Sequence, residues 1–313
     1  MISDKTILFA GSSSFSLEPL KAIVELGFQS VKVLTQPSKK KGRGLKKLPN
    51  PVMKLANKLN LETFSFEDFD QAEVKEKLSA LSPDILLTAS YGKLLPDWFL
   101  DFFTLDVLNI HPSLLPTWRG ASPIQSAILN GDKMTGVSIM RITPALDEGP
   151  VFLSETLQIE LSDTSSSLSS KLSGIAANLL KKSLAQILSG EIKAKEQDHK
   201  EATFSNKISK DDGRVDWSQT AESIDRMVRA YNPWPVAYTY LEEKYLRIWD
   251  ASLSSDQKDY KKTGEILEET DLGILVSTGK GSLLIKEIQL AGKRAMSAND
   301  FSKGIDLKNR SFN

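Results

Sequence analysis

The sequence predicts an α/β protein: a parallel sheet with helices on both faces, followed by a smaller all-β part. Three observations carry that expectation. Short apolar runs alternate with helical patterns through the first half of the chain. A long amphipathic pattern closes that half. Several short strand-like runs separated by turn signals then fill the last third.

The first strand is expected at residues 6–10, followed by a helix at 17–26 and a second strand at 30–35. A helix at 51–59 precedes strands at 84–89 and 107–111, and another helix falls at 123–129. This order of strand and helix is that of parallel strands joined by crossovers. Two further strands are expected at 136–142 and 151–159. Leu168, Leu172, Ile175, Ala176, Leu179, Leu180, Leu184, Ile187 and Leu188 then recur at helical spacing. Asp163 and Thr164 suit the N-cap of that helix, and Gly190 suits the position just past its end. The first domain is therefore placed at 1–190. Residues 191–206 are polar and lysine-rich and read as a linker. A helix at 221–230 and strands at 237–241, 246–251, 273–278 and 282–290 predict a small β-barrel over 207–313. There is no internal repeat.

Composition narrows the chemistry. The chain has no cysteine, which excludes disulfides, thiolate catalysis and cysteine-ligated zinc. With His111 and His199 as the two histidines, a multi-histidine metal site is excluded as well, and no metal is expected. Residues 1–5 lack the apolar core of a signal peptide, and no apolar run reaches membrane-spanning length. The expectation is a soluble, cytoplasmic protein with no membrane partner, working as a monomer. Net charge is zero, so any nucleic-acid binding must come from a local patch.

The most informative stretch is Leu108-Asn109-Ile110-His111-Pro112-Ser113-Leu114-Leu115-Pro116, closed by Trp118-Arg119-Gly120. On a strand, Asn109 and His111 point to the same face. An Asn amide and a protonated His can each donate a hydrogen bond to negative charge building on a carbonyl oxygen, as in acyl transfer to an amine. The amine must also lose a proton, which calls for a base or a water relay. Asp147, in a tight turn after the strand ending near Ile142, is a candidate to orient His111 and complement its charge. In open α/β sheets ligands bind outside the carboxyl ends of the strands, which would bring this turn to the end of the Asn109 and His111 strand. The residues alone also allow plainer roles: a hydrogen-bonded structural pair at a strand end, and an ordinary turn aspartate. From them the reading stops at acyl or formyl transfer.

The stretch from Asn109 to Pro150 nevertheless resembles the signature of the folate-dependent formyltransferases. Asn-x-His-x-Ser-Leu-Leu-Pro-x-Trp-Arg-Gly-x-x-Pro-Ile-Gln is followed by Asn130-Gly131-Asp132, Gly136-Val137 and Leu146-Asp147-x-Gly149. The resemblance implies a Rossmann-like formyltransferase domain that uses 10-formyltetrahydrofolate as donor. It implies that Asn109, His111 and Asp147 form the catalytic trio and that Ser113, Leu114, Leu115 and Pro116 line the folate site. Ser90-Tyr91-Gly92-Lys93-Leu94-Leu95-Pro96 is similar to a second folate-site segment, with serine where alanine is usual, which makes Tyr91 and Gly92 candidates for the pocket wall. Gly11-Ser12-Ser13-Ser14-Phe15 stands where Gly-Thr-Pro-x-Phe is commoner, and it is not a nucleotide-phosphate loop.

Within the family, three features resemble the members whose acceptor is methionyl-initiator tRNA. They are Thr35-Gln36-Pro37 with Gly42-Arg43-Gly44 and Leu48-Pro49-x-Pro51-Val52; the Trp118–Gln125 run; and a C-terminal pattern. That pattern includes Lys207-Ile208-Ser209-Lys210, Asp216-Trp217, Asn232-Pro233-Trp234-Pro235 and Gly292-Lys293. Lys39, Lys40, Lys41, Arg43, Lys46 and Lys47 make the inserted loop basic, and Gly42 and Gly44 keep it mobile, which suits contact with RNA phosphates; a solvated charged loop is the plainer alternative. Lys39-Lys40-Lys41 is more basic than the familiar pattern. The C-terminal part resembles an oligonucleotide-binding-type barrel, with Lys207, Lys210, Lys293 and Arg294 as candidates for tRNA contact, and Trp217 and Trp234 as core residues. The expected reaction is formylation of the methionyl α-amine. An amino-sugar nucleotide is the alternative acceptor.

Overall fold

β1 (Thr6–Gly11) is the central strand around which the first half of the chain is built in the computed structural model, which describes residues 2–41, 46–69 and 72–313. After it come α1 (Leu17–Glu25) and β2 (Ser30–Leu34), then the antiparallel pair β3 (Lys39–Lys41) and β4 (Lys46–Leu48). The chain continues through α2 (Pro51–Lys58), β5 (Thr63–Phe64), α3 (Ala72–Leu81) and β6 (Ile85–Ala89). α4 (Asp97–Leu100) leads to β7 (Asp106–His111), β8 (Arg119–Gly120) and α5 (Pro123–Asn130). Then come β9 (Met134–Arg141), β10 (Val151–Gln158), α6 (Ser165–Leu188) and β11 (Phe204–Ser205).

The main sheet has the order β10-β9-β7-β6-β1-β2-β5. The strands from β7 to β5 are parallel, whereas β9 and β10 run antiparallel. Ile7, Leu8, Phe9 and Ala10 are all fully buried, so both faces of β1 are covered, as a continuous apolar run in a parallel sheet requires. β10 sits at the edge and alternates between buried and exposed positions. One face of the sheet packs Leu8, Ala10, Leu34 and Leu86 against an aromatic cluster containing Phe69, Tyr91 and Phe99.

Capping follows the sequence. Asn50 accepts a hydrogen bond from the Met53 amide ahead of Pro51 at the start of α2. Thr164 and Ser167 accept from each other's backbone amides at the start of α6. Gly190, two residues past α6, has φ +77°.

The chain divides into two units. The first is Met1–Pro123, Met134–Gln158 and Ser169–Ser205; the second is Ile124–Lys133, Ile159–Leu168 and Asn206–Asn313. Residues 191–205 are therefore bonded into the first unit and are not a free linker. Lys195 bridges Val151, and β11 pairs in parallel with β8. These residues hold on through backbone pairing and polar side chains, which is why their scarcity of apolar anchors did not betray them.

In the second unit α7 (Ala221–Ala230) precedes β12 (Ala237–Leu241), β13 (Lys244–Leu253), β14 (Ile266–Thr270), β15 (Gly273–Ser277) and β16 (Ser282–Leu290). β17 (Met296–Ser297) and α8 (Ala298–Lys303) follow. The antiparallel order is β12-β13-β16-β15-β14. Its two outer strands are joined by residues 310–313. Leu241 bridges Phe312, Glu265 bridges Ser311, and the Asn313 and Tyr240 backbones bond reciprocally. The expected barrel is thus closed by the chain's last described residues. Ile224 and Val228 of α7, Trp217 and Phe312 share its core. Trp217 stacks on Phe312 at 5.8 Å and donates from Nε1 to Thr239 Oγ1. Trp234 departs from the expectation: it is half exposed, in a turn flanked by prolines, and is not a core residue.

Candidate active site

β7 carries the site. Asn109 and His111 project from the same face, as period-two alternation requires. β9 runs antiparallel to β7, so the turn after it starts at the opposite end of that strand, where the Ile142 amide donates to Val107 O. The segment after β9 then runs back to the carboxyl end of β7, where Asp147 meets His111, the last residue of that strand, and faces Asn109.

Asn109 is held by its register partner. Thr88, opposite it on β6, donates from Oγ1 to Asn109 Oδ1 at 2.7 Å. Asn109 Nδ2 faces Asp147 Oδ1 at 3.4 Å. A carboxylate only accepts, so this contact fixes which end of the amide faces it. One Nδ2 hydrogen points at the carboxylate, and the amide has a second to give.

His111 is buried, and its Nε2 lies 2.9 Å from the Trp118 carbonyl oxygen. A carbonyl accepts, so Nε2 carries a proton and Nδ1 is the ring atom left for other work. Nδ1 is 3.7 Å from Asp147 Oδ2, beyond direct hydrogen-bonding distance. The Trp118 carbonyl thus fixes one side of the ring, and the Asp147 carboxylate faces the other within ion-pair range. Trp118 itself has φ +58°, and its amide donates to Thr203 Oγ1 at 2.8 Å.

Asp147 is held from several directions. Its Oδ2 accepts from the Gly120 amide at 2.8 Å. Its backbone lies in the left-handed region at φ +53°, which a short polar residue tolerates better than a branched one. Gly120, at φ +112°, is required where it stands: a Cβ there would lie 2.4 Å from Ser205 O. Arg119, next to it, is a fully buried cation. Its guanidinium donates from Nε and Nη2 to Gln197 Oε1 at 3.1 and 2.9 Å and lies 3.4 Å from Glu148 Oε1. Nη2 also meets His199 Nδ1 at 3.2 Å.

The folate-site candidates divide. The Ser113 side chain is fully buried and donates to Thr117 O, so its hydroxyl is spent inside the loop. Leu114, Leu115 and Pro116 stay partly exposed, with Leu114 packed over Gly136, where a Cβ would meet Leu114 Cδ2 at 2.5 Å. Ser138 fastens this loop by donating to Ser113 O and accepting from the Leu115 amide. The Tyr91 ring belongs to the aromatic core, and burial pushes its hydroxyl well above its usual pKa. What Tyr91 leaves toward its loop is its carbonyl, which accepts from Gln36 Nε2 at 2.7 Å beside Gly92.

Among the nucleic-acid candidates, Lys207, Lys210, Lys293 and Arg294 are exposed in the second unit. The Lys39–Lys41 backbone pairs antiparallel with that of Lys46–Leu48. Arg43, Gly42 and Gly44 lie outside the described residues, as do the side chains of Lys39, Lys40, Lys41, Lys46 and Lys47. Sequence reading missed Thr88 and Gln197 as part of the site. Thr88 was findable from its register opposite Asn109 once β6 and β7 were paired. Gln197 had no local signal.

The stretch that builds this site falls within the match to a known family. The formyl transferase profile covers residues 5–184, and the profile of the formyl transferase C-terminal domain covers 207–306. The chain belongs to the formyl transferase family. Its relatives include the methionyl-tRNA formyltransferase of Methylococcus capsulatus, 42% identical over 94% of this chain and 95% of that one. That of Coxiella burnetii is 40% identical over 94% of each chain. The solved methionyl-tRNA formyltransferase of Clostridium thermocellum shares the fold at TM-score 0.56 and 16% identity, covering 80% of this chain and 94% of that one. The sugar 3N-formyl transferase WlaRD does so at TM-score 0.66 and 18% identity, covering 93% and 99%. No helix among the described residues is long and apolar enough to cross a membrane.

Proposed function

We propose that this protein transfers the formyl group of 10-formyltetrahydrofolate to the α-amine of methionyl-initiator tRNA, as a cytoplasmic monomer. The observation that carries the chemistry is the convergence of Asn109, His111 and Asp147 on one face of β7. The near full-length similarity to relatives named methionyl-tRNA formyltransferase supports the acceptor.

When bound, 10-formyltetrahydrofolate supplies the carbon that the amine attacks. Leu114, Leu115 and Pro116 offer it partly exposed apolar surface next to the trio. Asn109 donates its second Nδ2 hydrogen to the formyl oxygen as negative charge develops there. His111, protonated at Nδ1, donates from the other side. Asp147 lies within reach of both and takes up, through water, the proton that the amine sheds. The bond from the formyl carbon to N10 of the folate then breaks, and N10 receives that proton as tetrahydrofolate leaves. Fixing both substrates against preset donors supplies much of the rate. Lys207, Lys210, Lys293 and Arg294, together with the basic segment 39–47, meet the tRNA backbone.

The test is formylation by purified protein with 10-formyltetrahydrofolate and methionine-charged initiator tRNA. Methionine-charged elongator tRNA and an amino-sugar nucleotide run in parallel. Formylation restricted to the initiator is expected. Activity on the sugar alone would overturn the acceptor, and full activity of His111→Ala would overturn the mechanism.

A further inference from the structure

We infer that Gln197, in the segment the sequence presents as a linker, is a positioning residue that sets the turn carrying Asp147. The inference rests on the reading of Asp147 as a reacting group. The Gly120 amide holds the Asp147 carboxylate and Arg119 pairs with the Glu148 carboxylate, but both grip side chains and leave the backbone of the turn to Gln197. Leu146 is exposed, and Asp147 occupies a left-handed backbone conformation that persists only where its surroundings impose it. The Gln197 side chain is 7% exposed and meets the turn at two points. Its Nε2 donates to Asp147 O at 2.9 Å and to Gly149 O at 2.7 Å, one on either side of Glu148.

The amide cannot be turned around. Its Oε1 accepts two hydrogen bonds from Arg119, which has only donors, while Nε2 faces two carbonyls, which only accept. Arg119 is covalently next to Gly120, whose amide holds the Asp147 carboxylate. Gln197 and Gly120 thus grip Asp147 by backbone and side chain respectively, and Arg119 ties the two grips together. The buried guanidinium is used to lock a neutral amide, not to contact the reacting groups. The segment itself is fastened on both sides, by the Lys195 bridge to Val151 and by β11 on β8.

Gln197→Glu separates positioning from folding. It keeps an acceptor for Arg119 and removes both donors to the turn. With the turn released, kcat for formylation is expected to fall ~10- to 100-fold, the effect of a displacement of about 1 Å at a reacting group. KM for methionyl-tRNA and folate affinity are expected to stay within about threefold. The decisive readout is a double-mutant cycle with Asp147→Asn. If Gln197 acts through Asp147, the double variant is no slower than Asp147→Asn alone. Effects that multiply would overturn the inference and leave Asp147 standing. Near-normal activity of Asp147→Asn would overturn both readings together. Thermal unfolding of each variant is recorded alongside. Should Gln197→Glu fail to fold, Gln197→Met, which also lacks the donors, runs through the same cycle with the same outcomes.

Discussion

Replacing Thr88 by valine tests whether the site depends on a group that never touches substrate. Valine keeps the branched shape and suits β6, so the change removes one hydroxyl and little else. The Thr88 side chain is 6% exposed, and its hydroxyl gives Asn109 Oδ1 a hydrogen bond of 2.7 Å. Losing such a bond at a half-buried acceptor costs about 1–2 kcal/mol. If that cost falls on the orientation of the Asn109 amide when charge develops on the formyl oxygen, it slows the chemical step by about 5- to 30-fold. Single-turnover formylation of methionyl-tRNA at saturating folate reads that step directly. Folate affinity should be unchanged, and Thr88→Ser should recover most of the rate. A Thr88→Val protein within twofold of the wild type would refute the claim that Thr88 sets the amide. An equal loss in Thr88→Ser would assign the effect to packing.

Three further predictions concern other parts of the molecule. Tyr91→Phe removes a buried hydroxyl with no hydrogen-bond partner among the described residues, so the variant should melt at the same or a higher temperature with folate affinity intact. A clear loss of folate affinity would return Tyr91 to the pocket wall. Phe312→Ala strips a 3% exposed ring from the Trp217 stack and should cost about 3–5 kcal/mol by chemical denaturation; a loss under 1 kcal/mol would mean that the barrel core closes without it. The Asp216 carboxylate is held below the usual carboxylate range by hydrogen bonds from the Ser218 hydroxyl, the Gln219 amide and the Ser218 backbone. Its stabilisation is therefore present near neutrality and is lost as pH falls through that depressed value. Asp216→Asn should lower the urea midpoint at pH 7 and flatten its decline toward acid. An unchanged acid limb would contradict this.

The elements legible in the sequence were those with strong periodicity. β1, β6, β7, α6 and α7 lie within a residue or two of their expected bounds, because each is a continuous apolar run or a clean amphipathic face. α3 was not legible: it anchors through Val74 and Leu78 with few other apolar residues. β5, β8, β11 and β17 are two residues long and exist only through pairing with another strand. At the site, the same-face placement of Asn109 and His111 followed from strand alternation. The clamp on Asp147 did not, because Gln197 and Asp147 meet through tertiary pairing at a sequence separation of 50. Trp234 shows the opposite error: an aromatic residue suggests core by type, but its position among prolines left it half in solvent.

The seam that closes the second unit has a consequence for how the protein is made. β12 leaves the ribosome long before residues 310–313, which bond to its free edge and to the start of β14. During that interval both edges present unpaired backbone groups. The barrel is therefore completed late, by pairing between segments far apart in the chain, a slow kind of contact to form. A nascent chain stalled before Phe312 would carry open strand edges and an unfilled core, and would be a natural client for chaperones and proteases.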